Sequence, residues 1–191
     1  MMFGKNLGAA ETAKRIPVGS VGVEIGVWRG DSTALFLDKA AHVHCVDPWS
    51  VAPYEPGSEH GTFQQYLERY AKVVGSRNPE DFQKFYDRMY REVCDRFPAE
   101  LVTMHRCTSG EFFKRFCWKV DWVYVDGSHQ YGDCKADLLG ALNILKPGGR
   151  IYGDDYRSKP GVTRAVDEFS KETGFVLKAH GCNQYEIRCA A

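Results

Sequence analysis

Apolar residues fall into short runs separated by stretches of helical period. Val21-Gly-Val-Glu-Ile-Gly-Val27 is β-branched, apolar and bounded by glycine, the pattern of a buried strand. Trp28 to Thr33 is a turn, in which Asp31 or Ser32 is placed to cap a helix running through Leu35, Phe36 and Leu37. His42-Val-His-Cys-Val46 is a second strand, ended by Asp47-Pro48. Strand, glycine turn, helix and strand form a βαβ unit, whose strands are parallel and whose crossover is right-handed. The rhythm breaks after Trp49. Pro48, Pro53 and Pro56 signal turns, and an aromatic-rich stretch follows from Phe63 to Tyr70. Phe82, Phe85, Met89 and Val93 then recur at helical spacing, which predicts a helix from about Asn78 to Phe97. Asn78 suits its cap and Pro79 its first position.

The alternation resumes with a strand over Leu101–Arg106 and a short helix near Glu111 to Phe116. Val120-Asp-Trp-Val-Tyr-Val125 is the next strand, ending in Asp126-Gly-Ser-His129. Asp133 to Leu145 carries an apolar face of Leu138, Ala141, Leu142 and Leu145, and Lys146-Pro-Gly-Gly149 stops that helix. Arg150-Ile-Tyr152 is a strand ending in Gly153-Asp-Asp-Tyr156, and Val162 to Thr173 is a helix stopped by Gly174. Phe175–Ala179 and Gln184–Arg188 form a terminal hairpin around His180-Gly181. The predicted class is α/β, with a mostly parallel seven-stranded sheet, helices on both faces and an antiparallel C-terminal hairpin strand.

Composition narrows the function. At 191 residues the chain suits one domain, 1–191, with 49–98 as a helical insertion or lid. Lys plus Arg and Asp plus Glu are 25 each, so there is no basic excess to offset nucleic-acid phosphates. The seven cysteines are scattered singly without a C-x-x-C pair, which favours free thiols in a reducing compartment. No apolar run approaches the ~20 residues that span a membrane, and Met1 to Arg15 lacks the apolar centre of a secretory signal. A cytoplasmic protein is expected, with no membrane partner and with homo-oligomerisation open.

Ligands of open α/β sheets bind beyond the carboxyl ends of the strands. Glu24, with Gly26 and Gly30, stands at the first such end. Asp47 closes the second strand, placed to accept both hydroxyls of a ribose. Gly26-Val-Trp-Arg-Gly30 lacks the middle glycine of a dinucleotide fingerprint, which disfavours a nicotinamide cofactor and leaves a sulfonium cofactor as the better fit. Asp126, Asp154 and Asp155 end two later strands. Their convergence would suit a hard cation such as Mg2+. The alternative has Asp154 or Asp155 capping the next loop, with Asp126 serving the cofactor alone. His129 follows closely, and an imidazole titrates near neutrality. His42, His44, His60, His105 and His180 have no such context and are expected to be structural or exposed. Trp49, Tyr54, Phe63, Tyr66, Tyr70, Phe82, Phe85 and Tyr86 divide between helix cores and a lid over the acceptor.

Several motifs occur in one order: Val23-Glu-Ile-Gly-Val-Trp-Arg-Gly-Asp-Ser32, Val46-Asp-Pro-Trp49, Val123-Tyr-Val-Asp-Gly-Ser-His-Gln-Tyr131, Asp137 with Leu145-Lys-Pro-Gly-Gly149, and Gly153-Asp-Asp-Tyr156 with Gly161-Val-Thr-Arg-Ala-Val166. Together they resemble the Rossmann-like class I S-adenosylmethionine-dependent methyltransferases. The nearest resemblance is to the small-molecule and sugar O-methyltransferases that include the macrolide-sugar enzymes. It covers about residues 20–190, least well over 49–98. It implies that Glu24 and Gly26 line the methionyl end of the cofactor beside Gly30, that Asp47 holds the ribose, and that Ser109 lies near the adenine. Thr108 stands where the family often has an acid. Asp126 would lie near both cofactor and reacting centre. Acids at the positions of Asp126, Asp154 and Asp155 would bind Mg2+, and His129 would be the general base. The implied function is methyl transfer to a small-molecule or sugar hydroxyl. A non-catalytic S-adenosylmethionine- or nucleoside-binding protein and a nicotinamide-dependent oxidoreductase are the alternatives.

Overall fold

The structure, a computed structural model, describes residues 7–51 and 62–189. Pro53, Tyr54, Pro56, His60 and the first six residues lie outside them. Five strands run parallel: β1 (Val21–Ile25), β2 (His42–Asp47), β3 (Val102–Arg106), β4 (Val120–Val125) and β5 (Leu145–Gly153). β6 (Val176–Ala179) and β7 (Tyr185–Arg188) complete one sheet of order β3-β2-β1-β4-β5-β7-β6, with β7 antiparallel to both neighbours. This is the predicted class, hairpin included.

The sheet has a core layer on each face because its strand residues alternate. Val23, Ile25, Val123, Val125 and Ile151 face α5 (Ser109–Arg115), α6 (Tyr131–Ile144) and α7 (Pro160–Thr173), meeting Phe112, Leu138 and Phe169. α7 supplies Val162, Ala165, Val166 and Phe169, one apolar stripe at helical spacing. Gly174, in the left-handed region at φ 70°, ends it. On the other face Cys45, Trp122, Tyr124 and Tyr152 meet α1 (Leu7–Ala13), α2 (Asp31–Phe36) and α4 (Pro79–Arg96). α3 (Phe63–Val74) packs Tyr66 and Leu67 on Phe82 of α4 in a smaller cluster.

Segment 49–98 contributes α3 and α4, and five of its nine described aromatics are core. Trp49, Tyr66, Phe82, Phe85 and Tyr86 are buried. Asn78 caps α4 by accepting from the Glu80 N–H, with Pro79 inside the first turn, as expected. Three local expectations change. The residue flanking α2 is Gly30 in the left-handed conformation, and neither Asp31 nor Ser32 caps the helix; the Asp31 carboxylate pairs with Arg96. Lys146-Pro-Gly-Gly149 belongs to β5 as an irregularity, the register jumping from Val120↔Leu145 to Trp122↔Arg150. α1 arises in a stretch where no helix was predicted, and α3 falls inside the expected helical insertion without having been given bounds. α3 begins with a capping box in which Thr62 and Gln65 exchange hydrogen bonds with each other's backbone.

Gly22 is fixed by packing. A Cβ there would stand 2.1 Å from the Trp122 ring, whose Nε1 donates to Ser20 Oγ at 2.8 Å. Gly22→Ala must displace that ring, at about 1–3 kcal/mol for overpacking. At roughly 2–4 °C per kcal/mol for a chain of this size, thermal melting by circular dichroism is expected to drop by several degrees.

Candidate active site

The chain reverses direction across the sheet between β1 and β4. Leaving β1 it winds outward through β2 and β3, and it returns to place β4 on β1's other side. That switch opens the crevice where open α/β sheets bind ligands. The two strand ends are drawn together there. The Asp126 N–H donates to the Ile25 carbonyl at 2.9 Å, and the Asp154 N–H to that of Val125 at 3.2 Å. Gly26 sits in the left-handed region at φ 85°, and a Cβ on it would lie 2.0 Å from the Asp126 carbonyl oxygen. Only glycine fits both demands.

Asp47 pins the glycine turn. Its Oδ2 accepts from the Val27 and Trp28 N–H groups at 3.1 and 3.0 Å, and its Oδ1 from the Trp49 N–H at 2.7 Å. Trp28 and Trp49, both at positive φ, are also joined directly, the Trp49 indole donating to the Trp28 carbonyl. Asp47 is thus at the expected strand end but is largely committed to backbone. A carboxylate has about four lone-pair sites, three of which these donors occupy. Burial raises its pKa, and the three N–H donors oppose the rise.

Glu24 is fully buried. Its Oε2 accepts from the Thr33 hydroxyl at 2.5 Å, and its Oε1 has no partner among the described residues. Desolvation pushes its pKa up to about 8, against the pull of Thr33. An orphaned buried oxygen beside the glycine turn is consistent with a donor-bearing ligand there. Ser109 opens α5 behind Thr108, which forms a capping box with Glu111. The Ser109 hydroxyl faces Asp137 of α6, whose pKa burial nonetheless raises to about 7. The Ser109 hydroxyl thus serves the α5–α6 contact.

Asp126, His129 and Asp155 come together at the ends of β4 and β5. One ligand atom from each lies within 4.8 Å of the other two. His129 Nε2 and Asp155 Oδ2 are 2.8 Å apart, and Ser158 Oγ donates to the other Asp155 oxygen at 2.6 Å. Asp155 adopts φ 62°, a conformation costing about 1–3 kcal/mol for a residue other than glycine. His129 and Ser158 lower its pKa against burial. Asp126 moves the opposite way: burial, then the charges of Asp154, Asp155 and Glu24, raise it well above the carboxylate range.

Asp154 does not join this group. Its Oδ1 accepts from the Asp155 N–H at 2.6 Å, and a Cβ on Gly8 of α1 would lie 3.1 Å from its Oδ2. Burial raises its pKa, with the Gln184 side chain among the groups opposing the rise. Strand-end position put three acids in one place, but consecutive residues leave a strand in different directions, so Asp154 turns towards α1 and β7 while Asp155 turns to His129. The oxygen-only trio expected for Mg2+ is not assembled, and Mg2+ does not fit the residues as arranged.

Two residues had no role assigned from the sequence. Gln184, almost fully buried, accepts from the Thr12 hydroxyl at 2.7 Å and the Tyr124 hydroxyl at 3.2 Å. Its place in a hairpin turn gave no signal. Gly161, noted only within a motif, lets α7 approach the loop after β4; a Cβ there would meet the His129 carbonyl oxygen at 2.3 Å.

A sequence profile of the methyltransferase domain matches residues 23–156, more than half of the chain. The chain belongs to that family. It is a class I S-adenosylmethionine-dependent methyltransferase. No curated protein matches it. Among solved structures, SMU.1697c from Streptococcus mutans, in complex with SAH, is similar with a TM-score of 0.60 at 13% identity, covering 98% of this chain and 99% of that one. An rRNA methylase from Streptococcus thermophilus gives 0.59 at 11% identity, covering 100% and 99%. The O-methyltransferase NovP gives 0.55 at 17% identity, covering 97% and 77%. At such identities the likeness is one of fold.

The buried acid of this methyltransferase makes its stability depend on pH. Glu24 binds its proton more tightly folded than unfolded, so the native state holds the extra proton between about pH 4.5 and 8. Stability therefore falls as pH rises through that window. Glu24→Gln keeps an acceptor for Thr33 and removes the ionisation. Its melting temperature relative to the unsubstituted protein is expected to rise steadily from pH 5 to pH 8; a pH-independent difference would contradict the buried neutral acid.

Proposed function

We propose that this methyltransferase acts on a hydroxyl group of a small molecule, with S-adenosylmethionine over the ends of β1 and β2 and the acceptor over β4 and β5. The observation that carries the reading is the meeting of Asp126, His129 and Asp155 next to the glycine turn. A methyl sulfonium is already electrophilic. The protein's task is to hold the acceptor oxygen in line with the S–CH3 bond at about 3–3.5 Å. An aliphatic hydroxyl is a weak nucleophile while protonated, so its proton must have a destination. The two carboxylates and the imidazole supply one, with His129 held in place by Asp155. The equal numbers of basic and acidic residues also favour a small acceptor over nucleic acid.

No helix among the described residues is long and apolar enough to cross a membrane. The described structure holds all seven cysteines as free thiols, which supports our placing the protein in the cytoplasm.

Two measurements test this reading. Calorimetry with S-adenosylhomocysteine is expected to show one site. Asp47→Ala releases three backbone N–H groups of the glycine turn and is expected to weaken binding at least tenfold, about 1.4 kcal/mol. Full affinity in that folded variant would show that the turn does not form the cofactor site. In a screen of hydroxylated metabolites with labelled cofactor, methyl transfer is expected to oxygen. With the acceptor found, His129→Ala should lower turnover about 10²–10⁴-fold and leave cofactor affinity nearly unchanged. Methylation confined to amines or RNA would overturn the O-methyl reading.

A further inference from the structure

The turn that carries Asp155 leads into a second group of charged side chains. Asp155 and Arg157 both have left-handed backbones, at φ 62° and 70°, while Tyr156 between them is buried. Such angles are costly for residues other than glycine, and the surroundings hold them. The Arg157 N–H donates to Thr163 Oγ1 at 2.9 Å, and the Tyr156 N–H to the Asn183 carbonyl at 2.9 Å. Asp155 is thereby set against His129, and Arg157 stands on the wall of an open cleft of about 600 Å3. Ser158, Thr163, Arg164, Asp167 and Glu168 also line that cleft. Ser158 belongs to both places, since its hydroxyl holds Asp155. Arg164 lies 4.1 Å from the ring centroid of Tyr131, two residues beyond His129, and Gly161 packs against the His129 carbonyl. The cleft and the Asp155–His129 pair are therefore built from the same two loops.

What the cleft offers a ligand is positive charge, because its two acids are already occupied. Asp167 accepts from the Tyr156 hydroxyl at 2.7 Å. Glu168 accepts from the Tyr131 hydroxyl at 2.5 Å through one oxygen and from Arg164 Nε at 2.8 Å through the other. The two guanidiniums have donors to spare. Arg164 meets Glu168 through Nε alone, and its terminal N–H groups bond to none of the described residues. Arg157 lies 5.3 Å from the Tyr156 ring centroid and pairs with no carboxylate among the described residues. A guanidinium over an aromatic face keeps its in-plane N–H groups for other partners, and two such groups match the oxygens of a carboxylate or phosphate.

We propose that Arg157 and Arg164 hold an oxyanion group, carboxylate or phosphate, of a small acceptor whose hydroxyl lies at His129. The cleft thus selects acidic acceptors by local charge, although the chain as a whole carries no net charge. The identity of the ligand as the acceptor rests on the methyl-transfer reading. The anion site itself is measured without cofactor or transfer, so the two can fail separately.

The test starts with the purified full chain, without cofactor, at constant ionic strength so that screening is the same throughout. Inorganic phosphate and glycolate are the probes, followed by 31P and 1H nuclear magnetic resonance line broadening. Binding of at least one is expected, and the tighter of the two identifies the group. Arg157→Asn suits the left-handed backbone. It and Arg164→Gln should each weaken binding about tenfold, and Arg164→Gln carries the test if Arg157→Asn does not fold. Arg77→Gln, exposed between α3 and α4, should leave binding unchanged. With the acceptor from the metabolite screen, Arg157→Asn should raise KM about tenfold and leave kcat nearly unchanged. Masking the acceptor's anionic group as a neutral ester should do the same in the unsubstituted protein. Anion binding that depends on both arginines, found together with methylation of amines alone, would uphold the anion site and overturn only the hydroxyl reading. No binding of either probe, binding unchanged in both arginine variants, equal weakening in Arg77→Gln, or an uncharged acceptor whose KM ignores Arg157→Asn would overturn the assignment.

Discussion

Gly26 lies against the main chain of Asp126 with no room for a methyl group between them. That contact sets the distance between the two halves of the site. On one side it fixes the glycine turn that Asp47 holds through three N–H groups. On the other it fixes the end of β4, and with it Asp126 and the loop carrying His129. Backbone hydrogen bonds from Asp126 to Ile25 and from Asp154 to Val125 extend the same alignment to β5. In the proposed reading, a cofactor on the first half and an acceptor on the second would be held by adjoining strand ends, and the alignment that in-line transfer needs would be built into the sheet.

The site gathers acids that the fold keeps apart in different ways. Glu24 is buried under α2 and held neutral over most of the physiological range. Asp47 is satisfied by backbone donors, and Asp155 by His129 and Ser158. Asp126 has neither kind of support, and its raised pKa reflects that. The four carboxylates thus differ in proton affinity although their sequence contexts, each at or beside a strand end, look alike.

Much of this was legible from the chain. Periodicity gave the strands and α4, α6 and α7, because each repeats apolar residues at the spacing of its geometry. The glycines at 26 and 30 announced a turn, and Asp126 with His129 lay at a readable strand end. What was hidden depended on direction. Asp154 and Asp155 are adjacent in sequence, yet one serves a packing contact with α1 and the other the cluster, a split set by the positive φ of Asp155. Asp47 looked free because its three partners are backbone N–H groups, which no sequence pattern displays. α1 escaped notice because its stability comes from docking. It buries Gly8, Ala9 and Thr12 against the sheet, and seven residues are too few for a helix to persist alone.

That docking crosses almost the whole chain. Thr12 reaches Gln184, 172 positions later, and Gln184 also bonds Tyr124 on β4. α1, which also packs on α2, consequently lacks its Gln184 anchor until the β6–β7 hairpin has been made. A chain stopped short of β7 would leave Thr12 without the Gln184 anchor and β5 with an open edge, so the sheet and α1 are completed together.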